Sequence, residues 1–189
     1  IRSELGRQIR KAFIPANGCV LLTADYSQIE LRIMAHLSGD ARLKAAFREG
    51  VDVHRATASE IFGVPPEDVS REQRDRAKVI NFGIMYGMGP QRLGREFGIS
   101  TQEARAFIDD YFATYAQVRD FLEGTIEQAK TDGYVTTMLG RIRYLPELQS
   151  HQRSVQSFGE RIAVNTPLQG TAADMIKSAM VNLHRRLAE

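Results

Sequence analysis

The chain has 189 residues, of which 43% are hydrophobic and 25% are charged, an ordinary composition for a globular domain with a buried core. The formal net charge of +2 is too small to indicate a nucleic-acid partner, so any basic surface must be local. One cysteine, Cys19, excludes an internal disulfide and a cysteine-rich zinc site and suits a reducing cytosol. No apolar run approaches the roughly 20 residues of a membrane span, and no signal stretch opens the chain. We therefore expect no membrane partner and a cytoplasmic location.

The first elements predicted along the chain are a strand and two helices. The apolar run CVLLTAD (19–25) predicts a buried strand that ends at Asp25. The segment SQIELRIMAHLSGD then has apolar residues at helical spacing and a stop at Gly39. A further helix is predicted over VHRATASEIFG, where Gly63 and two prolines end it.

Two capping boxes predict the starts of later helices. In SREQ (70–73) and in STQE (100–103), the serine can accept from a free backbone amide while Gln or Glu reaches back. The first box predicts a helix over about 71–87. The second opens a helical region over 101–132, for which Gly133 is a suitable end.

The last part of the chain predicts a hairpin followed by helices. Residues typical of strands lie on both sides of a Leu-Gly-Arg turn, which predicts a hairpin over 134–145. Pro167 is expected to push Thr166 out of the helical region. One early strand, one hairpin and many helices give an α+β, mostly helical fold. The resumed helix carries an apolar stripe formed by Ile176, Ala179, Met180 and Leu183.

One helical segment, RDRAKVINFGIMYG (74–87), carries Arg74, Lys78, Phe82 and Tyr86 at intervals of four residues. A helix turns ~100° per residue, so these four side chains lie on an arc roughly 120° wide. One side of the helix therefore has two cations near one end and two aromatic rings near the other. The opposite side carries the apolar residues that can face a core: Ala77, Ile80 and Ile84.

This stripe suits a polyanion that is joined to a flat ring. Phosphates would lie against Arg74 and Lys78, because arginine offers a forked donor and lysine a compact charge that can also donate a proton. A base or sugar would lie against Phe82 and Tyr86. The alternative is a solvated helix start whose aromatic residues belong to the core.

Two glycines in the same segment favour a ligand. Each glycine costs a helix interior ~1 kcal/mol relative to alanine. Gly83 and Gly87 flank Tyr86, and close approach by another backbone or by a substrate would explain them.

Three polar residues outside this helix are candidates on weaker grounds. Asp25 ends the predicted strand, where a side chain is held rigidly while its tip meets solvent. It could equally cap the next helix. Glu30 could be a surface charge, and His54 a partly exposed helix histidine.

Together, DYSQIELRIMAHLSGD and RDRAKVINFGIMYG resemble the first and second polymerase motifs of the family A DNA-directed DNA polymerases, the family of bacterial DNA polymerase I. The intervening DVHRATASEIFG and the later ERIAVNTPLQGTAADMIK also resemble that family, so the resemblance covers essentially the whole chain. It implies a right-hand polymerase fold with part of the palm (1–38 and 151–189) and the fingers (39–150).

The resemblance implies template-directed DNA synthesis, with deoxynucleoside triphosphates added to a primer 3′ end. It places one of two Mg²⁺ ions on Asp25 and on the backbone carbonyl of Tyr26. Arg74 and Lys78 would hold the triphosphate, and Lys78 would be the catalytic acid toward pyrophosphate. The expected partners are primer–template DNA and nucleotides, and the expected state is a nucleoid-associated monomer in a bacterial cytoplasm.

Further roles follow from the same resemblance. His54 would contact a phosphate, and Phe82 the sugar and base; phenylalanine there suggests discrimination against nucleotides without a 3′ hydroxyl. Glu30, braced by Tyr86, would exclude a ribose 2′ hydroxyl. The other residues expected to line the cleft or to contact template or primer are Ser27, Gln28, Gly83, Tyr86, Gly87, Arg161, Asn165 and Gln169. For the last three, ordinary helix surface and capping is the alternative.

The sequence departs from the family pattern in three places. The third motif, a His-Asp-Glu stretch that supplies the second metal carboxylate, does not occur, since His184 precedes two arginines. The thumb expected before Ile1 is missing, and there is no initiating methionine. We therefore expect a fragment that is inert, or nearly so, when isolated.

Two other functions stay open from the sequence. A single-subunit RNA polymerase of the phage type shares the strand-end aspartate and the Arg/Lys/Tyr-Gly helix. Glu30 and Phe82 argue against it, because that class must admit the 2′ hydroxyl. The other possibility is a non-catalytic DNA-binding module whose basic and aromatic side chains only hold the strand backbone.

Overall fold

The computed structural model describes residues 3–188, in which helices dominate and one two-stranded hairpin is present. The α+β, mostly helical fold predicted from the sequence is confirmed. The helices are α1 (Glu4–Lys11), α2 (Ile29–Ser38), α3 (Ala41–Arg48), α4 (Val53–Phe62), α5 (Arg71–Met85), α6 (Pro90–Phe97), α7 (Thr101–Thr114), α8 (Ala116–Asp132), α9 (Arg153–Asn165) and α10 (Thr171–Ala188). Short 3₁₀ turns cover Pro66–Asp68 and Pro146–Gln149.

Both predicted capping boxes form. Ser70 accepts from the amide of Gln73, whose side chain accepts from the amide of Ser70, so α5 begins where the sequence predicted. Ser100 and Glu103 make the same reciprocal pair at α7. The region that follows is two helices rather than one, because the backbone of Tyr115 leaves the helical region (φ −117°, ψ 61°).

The hairpin also forms as predicted. Its strands, β1 (Tyr134–Thr136) and β2 (Ile142–Tyr144), are antiparallel, with Val135 opposite Arg143. Val135 points into a small core with residues of α8 and α9, so the hairpin is fixed against these two helices.

The main core is built around α2, whose buried Leu31 and Met34 pack with side chains of α8 such as Val118. Met85, at the end of α5, belongs to the same cluster. A second cluster joins α5 to α6 and α7 through Ile80 and Ile84. α5 is therefore held on two sides, and α2 meets its C-terminal end.

Two local predictions were wrong. Residues 19–25 form no strand; they are exposed, with Val20 88% accessible. A strand needs a partner for its backbone groups, and the described part of the chain offers none there, since β1 and β2 pair only with each other. Thr166 keeps a helical backbone (φ −62°, ψ −46°), because Thr166–Gly170 forms a π-helical turn that joins α9 to α10 and accommodates Pro167.

The apolar stripe predicted on α10 is on the surface. Ile176 is 42% accessible and Met180 64%. Nowhere in residues 3–188 does a helix combine the length and the hydropathy that crossing a bilayer requires.

Candidate nucleotide site

The side of α5 that carries Arg74, Lys78, Phe82 and Tyr86 is only partly covered by packing: Phe82 and Tyr86 are half-buried against the main core, and Lys78 is exposed. The rings of Phe82 and Tyr86 stack with their centroids 6.1 Å apart, and the Lys78 ammonium lies 5.8 Å from the Phe82 centroid. The opposite side is buried, as predicted, through Ala77, Ile80 and Ile84. The stripe is thus available to a ligand.

A cavity of about 300 Å³ brings this stripe to the first polymerase-like motif. Asp25 lines it together with Arg74, Lys78 and Phe82. A carboxylate and two cations separated by some fifty residues of sequence therefore face one space. The other lining residues are Tyr26, Ser27, Gln28, Ile29, Glu30 and His54.

The turn into α2 is strained where it borders this cavity. Gln28 has φ 54° and ψ 39°, and among the described residues no other non-glycine has a positive φ. Such a backbone costs energy and is common at functional sites. The Gln28 Oε1 atom is also buried without a hydrogen-bond partner in residues 3–188. The Arg32 guanidinium supports the turn by donating to the Ser27 carbonyl over 2.9 Å.

Arg74 is held by Asp52, a contact that the sequence did not predict. The Arg74 Nε donates to Asp52 Oδ2 over 2.6 Å. The other carboxylate oxygen caps α4 by accepting from the amides of His54 and Arg55. An aspartate directly before a predicted helix indicates a cap, but nothing in the sequence indicates a partner 22 positions away.

The same contact sets the charge of Asp52. Burial alone would raise the pKa of the Asp52 carboxyl, but the hydrogen bonds from Arg74 and from the Arg55 amide outweigh it, so the pKa lies below its ordinary value. Asp52 is therefore ionised at neutral pH. Arg74 keeps its two terminal nitrogens free of hydrogen bonds within the described residues.

His54 is buried rather than partly exposed, with 1% of its surface accessible. Its Nδ1 lies 2.9 Å from Nδ2 of Asn81, a fully buried residue of α5. Burial, together with the positive charge of Arg74, lowers the pKa of His54 to about 4, so the imidazole is neutral at pH 7. The phosphate contact expected of His54 stays a prediction, and it would be a neutral hydrogen bond.

Glu30 and Tyr86 meet across α2 and α5. The Tyr86 hydroxyl donates to the Glu30 carboxylate. Burial raises the pKa of Tyr86 above its ordinary value, and the bond to Glu30 raises it further, so the phenol stays protonated as the donor. The carboxylate is therefore held in place by a ring of the stripe.

A second cavity, of about 750 Å³, is separated from the first by Lys78 and Phe82. These two side chains line both cavities. Tyr86 of the stripe and Arg161 and Asn165 of α9 line the second cavity as well. Asn165 also borders a third cavity, of about 430 Å³. The remaining predicted contact, Gln169, lines that third cavity together with Arg141 and Arg143.

The two glycines of the stripe have reasons within the chain. A Cβ on Gly83 would lie 2.7 Å from the end of the Met88 side chain, so the bend after α5 packs against this position. Gly87 has φ +76°, a conformation that favours glycine. Both line the second cavity, and their contact with DNA stays a prediction.

Asp25 and the Tyr26 carbonyl are oxygen donors of the kind that Mg²⁺ prefers. Asp25 is exposed, and no group of three His, Cys, Asp or Glu side chains suited to a metal ion occurs in residues 3–188. These residues therefore fit part of a magnesium site and need further ligands, from substrate, water or other protein groups.

A profile of the family described as DNA polymerase family A matches residues 1–189. The chain belongs to DNA polymerase family A. It is 53% identical to the thermostable DNA polymerase I of Thermus filiformis over 187 residues, which is 99% of this chain and 22% of that protein. It is also 53% identical to DNA polymerase I of Pseudomonas aeruginosa over 189 residues, 100% of this chain and 21% of that protein.

A solved structure of the same family has a similar fold. This is the POL domain of Pol1 from M. smegmatis in complex with DNA primer–template and dNTP, with a TM-score of 0.91 and 47% sequence identity. The similarity covers 100% of this chain and 33% of that one. This family A chain thus spans about a fifth of the length of the curated relatives described above.

Proposed function

We propose that the protein performs template-directed DNA synthesis, adding deoxynucleoside triphosphates to a primer 3′ end. The observation that carries the proposal is the cavity that Arg74 and Lys78 share with Asp25. Cations for a triphosphate and a carboxylate for metal-assisted chemistry then face the same substrate. The activity named for the relatives supports the same conclusion.

The triphosphate is bound by the N-terminal half of the stripe. Arg74 has its Nε on Asp52 and offers its terminal nitrogens as a fork to phosphate oxygens. Lys78 adds a point charge and is placed to protonate the leaving pyrophosphate. Exposure of Lys78 leaves its ammonium accessible to a ligand.

The sugar and base are bound by the aromatic half. Phe82 borders both cavities, so its ring can pack against a nucleotide that lies between them. Glu30 faces the first cavity and is fixed by Tyr86, which supports a role in excluding the ribose 2′ hydroxyl. A rigid carboxylate favours the DNA polymerase over the RNA polymerase alternative.

Primer–template DNA is bound by α9 and the hairpin side of the molecule. Arg161 and Asn165 line the second cavity, and Gln169 the third, which has arginines from the hairpin. Asn165 lines both the second and the third cavity, which supports one path for the nascent duplex along α9. This basic lining explains DNA binding by a chain with little net charge.

Asp25 and the Tyr26 carbonyl are the residues that would hold Mg²⁺ in a two-metal site. When bound, the ions neutralise phosphate charge and make the primer hydroxyl a better nucleophile. In the same proposal, 1–38 and 151–189 belong to the palm and 39–150 to the fingers. The protein would act as a monomer on DNA in the cytoplasm.

Steady-state primer extension with the whole protein tests the proposal. Lys78→Ala should raise the KM for a deoxynucleoside triphosphate at least about tenfold, as expected for losing a charged contact. Lys177→Ala, which removes an exposed lysine of α10 outside the three cavities, is the control and should change nothing. Absence of primer extension would favour the non-catalytic DNA-binding module, whereas extension with a KM unaffected by Lys78→Ala would contradict the role of this lysine.

A further inference from the structure

From the contacts between α4 and α5 we infer that Asn81 is a positioning residue for nucleotide binding: its side-chain amide fixes the neutral His54 ring with the hydrogen on Nε2, so that His54 donates to a phosphate oxygen. The inference rests on the proposed function for the identity of the ligand. The tautomer itself does not depend on that function.

The first step is the hydrogen count around Asn81. The Thr57 hydroxyl lies 2.9 Å from the Val53 carbonyl and 3.0 Å from Asn81 Oδ1, and it has one hydrogen. The Val53 carbonyl already accepts the Thr57 amide within α4. Since a carbonyl oxygen can accept a second hydrogen bond, the single hydroxyl hydrogen has two acceptors within reach, and the structure orients the Asn81 amide with Oδ1 toward it.

The second step concerns the amide nitrogen of Asn81 and its contact with the His54 ring. With Oδ1 toward Thr57, the Asn81 Nδ2 points to His54 Nδ1 at 2.9 Å and donates to it. A neutral imidazole has one donor nitrogen and one acceptor nitrogen. Because Nδ1 accepts, the hydrogen must be on Nε2.

The third step concerns the second ring nitrogen of His54, Nε2, and the partner it requires. Nε2 of His54 is buried and has no hydrogen-bond partner among the described residues, although His54 lines the cavity shared with Arg74 and Lys78. A buried N–H without a partner is costly, and native proteins rarely leave one without a reason. A phosphate oxygen in the cavity, which can only accept, would satisfy an Nε2–H and would be repelled by an Nε2 lone pair.

The position of Asn81 fits this role. It is 0% exposed and lies directly before Phe82, in the contact between α4 and α5 where His54 and Thr57 are also buried. Burial of the ring lowers the His54 pKa, so the neutral form is the one to be oriented at pH 7. An apolar residue at position 81 would fill the same space but would not fix which nitrogen of the His54 ring carries the hydrogen.

The tautomer can be read directly by ¹⁵N NMR of the whole protein labelled with ¹⁵N-histidine, with the His54 signals assigned by their loss in His54→Gln. We expect the Nε2–H pattern in the unmodified protein at pH 7. Asn81→Asp replaces the donor with a carboxylate and should move the hydrogen to Nδ1. A wild-type protein with the hydrogen on Nδ1 would overturn the inference, and this result does not require Asn81→Asp to fold.

A kinetic cycle connects the tautomer to nucleotide binding. Asn81→Ala should raise the KM for dTTP in primer extension roughly tenfold with little change in kcat, and should have almost no effect when His54→Ala is already present. Equal effects in both backgrounds would indicate a merely structural role and would refute the inference. If the unmodified full-length protein, rather than the isolated 189-residue chain, extends no primer, the proposed function fails, while the NMR result still decides the tautomer.

Discussion

The ion pair between Asp52 and Arg74 links the start of α4 to α5 and can be separated experimentally from the cap that Asp52 also makes. Asp52→Asn keeps an oxygen for the amides of His54 and Arg55, and asparagine caps helices as well as aspartate does. The substitution removes the negative charge opposite Arg74. Its effect on the free energy of unfolding therefore reports the ion pair, together with a smaller interaction of the charge with the α4 dipole that a second cap variant can measure.

The magnitude follows from the geometry. The Nε–Oδ2 distance is 2.6 Å, and the side chains of Arg74 and Asp52 are 29% and 31% accessible. Hydrogen bonds to charged groups contribute about 1.5–3 kcal/mol, whereas fully exposed ion pairs contribute at most about 1 kcal/mol. For this partly exposed pair we expect Asp52→Asn to cost about 1–2 kcal/mol. Asp52→Ala also removes the cap and should cost about 1 kcal/mol more.

The cost should depend on pH. The pKa of Asp52 is lowered in the folded state, so the pair stabilises the protein at pH values above the ordinary aspartate pKa of about 4. That stabilisation disappears as the pH falls through the lowered pKa, because the carboxyl is then protonated in the folded state as well. The difference between wild type and Asp52→Asn should therefore be full at pH 7 and shrink below about pH 4.

Urea denaturation at several pH values measures the cost. Asp40→Asn is a matched control, because Asp40 caps α3 through the amide of Leu43 and has no ion pair within residues 3–188. It should cost less than about 0.5 kcal/mol at pH 7. The reasoning is refuted if Asp52→Asn is as stable as wild type at pH 7, or if its cost stays constant down to acid pH.

Two further pairs of substitutions test the candidate site and the packing of the helix that carries it. Glu30→Ala should raise the ratio of kcat/KM for ribonucleotides to kcat/KM for deoxyribonucleotides by roughly 10- to 200-fold. Tyr86→Phe removes only the hydroxyl that holds Glu30 and should raise this ratio less. An unchanged ratio in Glu30→Ala would contradict the role of this carboxylate. Gly83→Ala gains ~1 kcal/mol of helix propensity, but its new Cβ would lie 2.7 Å from the flexible end of the Met88 side chain, which must move aside. The two effects oppose each other, so Gly83→Ala alone should change the free energy of unfolding by less than about 1 kcal/mol. In a Met88→Ala background, urea denaturation should show that Gly83→Ala is stabilising by about 1 kcal/mol.

Local signals in the sequence were sufficient for α2, α4, α5 and the hairpin, and for the start of α7 and the end of α8, but the short helices α1, α3 and α6 were not predicted. The serines at 70 and 100 and the glycines at 39, 63 and 133 bound helices because their effects act within one turn of chain. The stripe on α5 was predicted for the same reason, since its spacing is a property of one helix. The strand over 19–25 was wrong because strand formation depends on a neighbouring strand, which composition does not reveal.

The sequence by itself determined the family, the helical stripe and the chemistry that its side chains can offer. The tertiary structure decided which groups those side chains meet: Asp52 against Arg74, Asn81 against His54, and Asp25 in the same cavity as the cations. These contacts join residues that are 22, 27 and about 50 positions apart. Periodicity and capping act over three or four residues, so only the packing of α2, α4 and α5 against one another could bring such groups together.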